Sequence, residues 1–129
     1  MIKKSIRRGL VAAAALTLST AALAGTAQAS TTAPWLGYNH VTSGTGVRCV
    51  QHLVNDYRRA SGQDPIDEDG QWGPQTDGAV RNFQQVSLGS SQADGIVGPA
   101  TGSKLMNYSW TDSAAGPDGS CQPYVPTYS

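Results

Sequence analysis

Histidine, phenylalanine and charge are all scarce in this 129-residue chain, which has two histidines, one phenylalanine and 14% charged residues. The two histidines, His40 and His52, stand in neither an H-x-x-x-H nor an H-x-D arrangement, so they do not supply the ligand cluster of a metal hydrolase. No G-x-S-x-G elbow and no Ser, His, Asp order is present. Asp67, Glu68 and Asp69 are neighbours in one turn. Adjacent turn residues do not flank a glycosidic bond at the separation of about 5 Å or more that a carboxylate pair requires. Calcium fails in the same run, because the EF-hand register puts position 1 on Pro65 and the bidentate position 12 on Thr76. A solvated acidic turn is the simpler assignment. The expectation is a protein without catalytic residues, metal ligands or cofactor.

Positive charge is scarce where it would matter. Nine Lys and Arg balance nine Asp and Glu overall, but four of the basic residues (Lys3, Lys4, Arg7, Arg8) precede the apolar or small run from Gly9 to Ala24. Ala27-Gln28-Ala29 follows as an A-x-A cleavage pattern, so residues 1–29 are expected to be a secretory signal peptide. The run is too short and Ala-rich for an anchoring span. Arg7-Arg8 raises the twin-arginine route, but the residues around it match that pattern poorly, and general export is expected. Cleavage leaves five basic against nine acidic residues, a net charge of −4. An acidic chain with scattered cations lacks the patch that neutralising phosphates requires, which excludes nucleic acid as a partner. No second apolar stretch approaches the ~18 to 20 residues of a membrane span, so no membrane association is expected after cleavage.

Cysteine is down to two residues, Cys49 and Cys121. Export into an oxidising compartment, an even count and the absence of metal-type spacing favour one disulfide between them. Closing so long a loop is worth up to roughly 4 kcal/mol in the chain-entropy model. The alternative is a nucleophilic Cys49 with His52 three residues away in a helical pattern, and the second exported cysteine makes it the less economical one.

Residues 30–44 are rich in Thr, Ser and Gly, are broken by Pro34, and carry Trp35, Leu36 and Tyr38 with no period, so an extended arm is expected there. Residues 110–129 hold Gly116-Pro117, Gly119, Pro123 and Pro126, again without period, and read as an irregular tail tethered by Cys121. The folded unit is expected between them, over residues 45–109.

That unit contains an internal repeat. Asp69-Gly70-Gln71-Trp72-Gly73-Pro74-Gln75-Thr76 recurs 25 residues later as Asp94-Gly95-Ile96-Val97-Gly98-Pro99-Ala100-Thr101, with five identities in eight positions. The match persists: Val80 aligns with Leu105, Asn82 with Asn107 and Phe83 with Tyr108. In each copy Asp-Gly suits a turn whose glycine takes positive φ, and Gly-Pro then opens a helix, since proline at its first position forfeits no hydrogen bond. Thr76, Ala79, Val80 and Phe83 share one helical face, and Leu105 and Tyr108 continue the pattern in the second copy. Upstream, Val47, Val50, Val54 and Tyr57, with Leu53 beside them, mark a first helix from Thr45 to Ala60, ended near Ser61-Gly62. No segment alternates as a strand does. The fold class expected is all-α, a small three-helix bundle with two turn-plus-helix repeats. Its core would hold Val47, Val50, Leu53, Val54, Tyr57, Trp72, Val80, Phe83, Ile96, Val97, Leu105 and Tyr108.

These residues carry a family resemblance. Val47-Arg48-Cys49-Val50-Gln51-His52-Leu53-Val54 resembles the V-x-x-L-Q-x-x-L opening of the peptidoglycan-binding domains of bacterial cell-wall hydrolases. Asp69 to Gln84 is similar to that family's D-G-x-F-G-x-x-T-x-x-A-V-x-x-F-Q, and Asp94 to Leu105 to its closing D-G-I-V-G-P-x-T-x-x-x-L. The likeness spans Gly46 to about Tyr108. Two departures stand out: family members often carry a Trp directly after the second Thr, where this chain has Gly102, and the loops Gly62 to Glu68 and Gly89 to Ala93 are longer or more polar than the leanest members.

The resemblance implies a non-catalytic module that attaches to peptidoglycan, through glycan or stem peptide, at the bacterial cell wall, with a wall hydrolase as a further partner. The repeated Asp, Gly, Pro and Thr positions are assigned to turns and helix starts, and Trp72 to the core. Ligand contact is therefore expected from the polar and aromatic groups fringing the two loops: Gln71, Gln75, Asp77, Arg81, Gln84 and Tyr108. The alternative is a secreted interaction protein, an inhibitor or accessory factor of a wall enzyme, that uses the same fold and its Pro-rich tail without wall binding.

Overall fold

The computed structural model describes residues 32–108 and 121–128. Within them lie three helices, α1 (Thr45–Ala60), α2 (Pro74–Ser87) and α3 (Pro99–Tyr108), with single 3-10 turns at Ser90–Gln92 and Gln122–Tyr124. The described residues contain isolated bridges and no strand. The fold is thus all-α, as the apolar spacing requires. The expected signal peptide and the tail segment 109–120 lie outside the described residues.

Each helix begins and ends where its residues dictate. Gly73 is extended and Pro74 takes the first helical position of α2, and Pro99 does the same for α3. The C-terminus of α1 closes with Gly62 at φ 74°, where Gln63 donates its N–H to the Arg58 carbonyl at 2.7 Å. Arg58 and Arg59 in that last turn complement the helix dipole. The two Asp-Gly turns behave alike, with Gly70 at φ 73° and Gly95 at φ 76°.

The core contains Val47, Val50, Leu53, Val54, Tyr57, Trp72, Val80, Phe83, Val97 and Leu105, all buried. Two residues expected there are not in it. Ile96 is only half-buried, because the third position of each D-G-x-x-G loop points outward and the fourth, Trp72 or Val97, points in. Tyr108 is 42% exposed at the end of α3, although its ring meets Tyr57 edge-on at 5.6 Å, and Tyr57 in turn meets Phe83 at 5.2 Å.

The flanking segments are more ordered than their lack of period suggests. The arm straps both repeat loops together: Leu36 exchanges backbone hydrogen bonds with Val97 (3.1 and 2.8 Å), Trp72 donates to the Thr42 carbonyl (2.8 Å), and Gly44 donates to Gly70 (2.9 Å). Leu36 is fully buried. The expected disulfide is present, Cys49 to Cys121 with Cα atoms 5.5 Å apart. Beyond it the tail is a structural part of the core, with Val125 wholly buried and Thr127 nearly so.

Candidate functional site

The repeated motif builds its loops around two buried glutamines. Gln51 of α1 donates through Nε2 to Asp69 Oδ1 (3.0 Å), the Gln71 carbonyl (3.0 Å) and Thr76 Oγ1 (2.9 Å), while its Oε1 accepts from the Gly70 N–H at 2.9 Å. Gln84 of α2 repeats this arrangement one loop later. Its Nε2 reaches Asp94 Oδ1 (3.0 Å), the Ile96 carbonyl (2.9 Å) and Thr101 Oγ1 (2.9 Å), and its Oε1 accepts from Gly95 N–H at 2.8 Å. Asp69 and Asp94 each also take the backbone N–H two residues on, both at 2.9 Å. The aspartate and the threonine of each motif copy are therefore used in holding their own loop against the preceding helix. The hydrogen bonds from the Gln71 backbone and the Gln51 side chain hold the Asp69 carboxyl below its ordinary value of 3.8.

Gln84 must accordingly be removed from the expected contact set. It is fully buried and its amide is saturated within the protein. Asp77 and Arg81 pair with each other at 2.8 Å across one turn of α2, and Arg81 also donates to the Ala93 carbonyl at 3.0 Å. They brace the second loop, and a side chain at Gly95 would strike both. Tyr108, at the end of α3, sets its ring against Tyr57 of α1.

Gln71 and Gln75 are exposed and line a hollow of about 170 Å³ with Asp67, Asp69, Gly73 and Pro74. Pro74 and Gln75 also border a larger, open groove of about 430 Å³, walled by Arg58, Asp64, Pro65, Ile66, Gly78 and Ala79. Arg58 is fixed there by donating Nε to the Asp64 carbonyl at 2.7 Å and Nη1 to Gln63 Oε1 at 3.0 Å. Asn55 secures the same loop, donating to the Ile66 carbonyl (2.8 Å) and accepting from the Ile66 N–H (2.7 Å). Asp64, Pro65 and Ile66 escape motif reading because they lie in the loop where the chain departs from the lean family pattern, and Arg58 because it stands in the last turn of α1, beyond the motif's opening. The loop's signal is its mixture of charge, proline and a single isoleucine, which the structure packs, partly buried, against the core. The result is a shallow trough offering one cation (Arg58), one carboxylate (Asp64), one amide (Gln75) and an apolar floor, a set suited to hydrogen bonding and apolar contact.

Behind the groove, Glu68 accepts from Asn55 (2.9 Å), meets His52 Nδ1 at 3.1 Å and lies 3.6 Å from Arg59. Partial burial alone would raise its pKa, but the Asn55 and His52 hydrogen bonds and the His52 and Arg59 charges together outweigh burial and hold the carboxyl below 4.5. A folded value below the unfolded one means that this contribution is complete above pH 4.5 and is lost as the pH falls through the folded value. Melting temperatures measured from pH 6 down to pH 3 should therefore fall less steeply in Glu68→Gln than in the parent, by a margin worth about 0.5 kcal/mol after solvent screening.

Among the described residues no helix is long and apolar enough to cross a membrane, and no three His, Cys, Asp or Glu side chains are grouped to hold a metal. Neither the curated proteins nor the solved structures yield a match to the chain. Residues 43–105, from the end of the arm through the Leu105 turn of α3, match the family model described as "Putative peptidoglycan binding domain". The matched span contains α1, both glutamine-pinned loops and most of α3, and this helical unit belongs to the peptidoglycan-binding domain family.

Proposed function

We propose that the protein is secreted and binds cell-wall peptidoglycan without cleaving it, in the trough formed by residues 63–68 and the first turn of α2. Family membership of residues 43–105 carries this reading. It is supported by the trough itself, whose walls are fixed in advance by the Asn55, Arg58 and Gln51 hydrogen bonds, so little ordering cost attends binding. Gln75, common to both hollows, and Gln71 beside it are the central contacts, with Arg58 and Asp64 at the far wall. A mature charge of −4 opposes anionic wall polymers, so hydrogen bonds and apolar contact must supply the affinity.

Co-sedimentation of the mature protein with purified insoluble peptidoglycan tests this. Binding should persist or improve on polymer stripped of teichoic acid and should survive moderate salt. Gln71→Ala with Gln75→Ala should weaken it about tenfold while circular dichroism stays unchanged. Release of soluble fragments from labelled polymer would overturn the non-catalytic assignment. Absence of sedimentation at millimolar protein would favour a partner of a wall enzyme instead. Secretion has its own check: the intact mass of exported protein should correspond to a chain starting at Ser30.

A further inference from the structure

Trp35 is a large aromatic residue outside the helical unit. It lies ahead of the segment the family model matches, and it is 48% exposed. A Cβ placed on Gly98 would come within 3.3 Å of both Cδ2 and Cε2 of its indole and 3.5 Å of Cε3. Cδ2 and Cε2 form the fusion bond in the interior of the bicycle, so equal approach to both means that Gly98 sits against one face of the ring. The half-exposed ring therefore keeps free surface beyond the Gly98 contact. The residue is held in place on both sides: its carbonyl accepts from the Val41 N–H at 3.2 Å, and its neighbour Leu36 is bonded to Val97 in both directions. The His40 ring flanks it at 5.8 Å with a 44° tilt. Between them runs a tight turn carrying Tyr38, 43% exposed, and Asn39 in the left-handed region at φ 69°.

This surface has a definite chemistry. The half-exposed indole has the His40 imidazole beside it, the Tyr38 phenol and the Asn39 carboxamide belong to the same turn, and the chain from Thr32 to Val47 contains no Lys, Arg, Asp or Glu. A stem peptide brings carboxylates that need a cation, and Arg81, which reaches the adjoining loop from α2, is committed to Asp77 and the Ala93 carbonyl. A neutral pyranose brings the complement: one face of C–H groups for the indole and equatorial hydroxyls for the polar rim. Because the ring is already immobilised, stacking on it costs little side-chain entropy.

We infer that Trp35, with Tyr38 and His40, forms a stacking platform for a sugar ring of the glycan strand, a contact additional to the α2 trough. It rests on the peptidoglycan reading for its natural ligand, but its chemistry is testable without the polymer. The probe is chitotetraose, a soluble β-1,4-linked N-acetylglucosamine tetramer, titrated into the disulfide-bonded mature protein and followed by NMR. Of the three tryptophans, Trp35 is assigned through Trp35→Phe, and its indole resonance should move progressively with the Tyr38 and His40 ring signals while that of buried Trp72 stays still. On insoluble peptidoglycan, Trp35→Ala should bind about tenfold more weakly, and Trp35→Phe, which keeps a ring, should recover most of the loss. Should Trp35→Ala melt early, Tyr38→Ser decides, since that side chain lies in the exposed turn and its loss should still weaken sedimentation. A silent Trp35 resonance at millimolar tetramer, or full-strength sedimentation of Trp35→Ala and Tyr38→Ser, overturns the platform and leaves the trough reading intact. A shifting Trp35 resonance in a protein that never sediments with peptidoglycan supports the platform and rejects that reading.

Discussion

Replacing Gln51 and Gln84 together by alanine should leave the protein without a cooperative unfolding transition above 25 °C. Each amide is the common partner of an aspartate, a backbone carbonyl, a threonine hydroxyl and a glycine N–H. Removing one leaves the N–H of Gly70 or Gly95 buried without an acceptor, a loss of about 1 to 3 kcal/mol before the remaining bonds are counted. Each single variant should therefore lose about 3 kcal/mol, a fall in melting temperature of roughly 12 to 24 °C for a domain this size. The two networks lie in different loops and share no partner, so the losses should nearly add. Their sum reaches the lower part of the ~5 to 15 kcal/mol that holds a domain together. Gln84→Glu is the sharper control: it keeps the shape but aims a carboxylate at Asp94 Oδ1 and the Ile96 carbonyl, so it should be worse than alanine. Melting curves that shift by less than about 3 °C in the single variants would show that the loops stand without these glutamines.

The helices were legible in the sequence because their evidence is local. Val47, Val50, Val54 and Tyr57 declare α1 by period alone, Gly-Pro marks the starts of α2 and α3, and Asp-Gly announces the two positive-φ turns. The glutamine pins were hidden by spacing. Gln51 lies 18 residues before Asp69, whereas Gln84 lies 10 before Asp94, so the offset that aligns the loops does not align the glutamines. The available signal was that each directly follows a core residue, Val50 or Phe83, in the helix preceding a D-G-x-x-G-P-x-T loop. Gln84 reads as a ligand contact only because it is a polar group at the fringe of a repeat loop, and its burial with four partners overrides that reading. The arm and the tail could not be read from period at all, because Leu36 with Val97 and Cys49 with Cys121 are contacts between distant residues that leave no periodic trace. The trough was only partly foreseen: Gln71 and Gln75 came from the motif edge, whereas its other wall belongs to a loop with no repeat.

Gly102 gives the remaining prediction, in which one substitution should change sign with context. Glycine inside a helix ordinarily costs about 1 kcal/mol relative to alanine, so Gly102→Ala ought to stabilise α3. Here it should destabilise by about 3 kcal/mol, the upper end of the usual overpacking penalty. A Cβ at this buried position would collide with the Pro126 carbonyl and press on Val125 Cγ1. The C-terminal segment thus occupies the place next to α3 where family members often carry a tryptophan, and Val125 supplies the apolar bulk. Tyr124 extends the contact to the start of α1, where a side chain at Gly46 would meet both its carbonyl and Leu36. In the intact chain Gly102→Trp should expel residues 122–128 while Cys121 stays tethered to Cys49, and chymotrypsin should then cut after Tyr124 far faster than in the parent. In a Cys49→Ser chain ending at Tyr108, from which the segment is missing, the same Gly102→Trp should raise the melting temperature by filling the space left behind. Destabilisation by tryptophan in both chains would mean that the tail does not stand in for the missing aromatic. Opposite signs would show that the disulfide-anchored segment stands where a tryptophan would otherwise pack, which is what allows this chain to carry glycine inside α3.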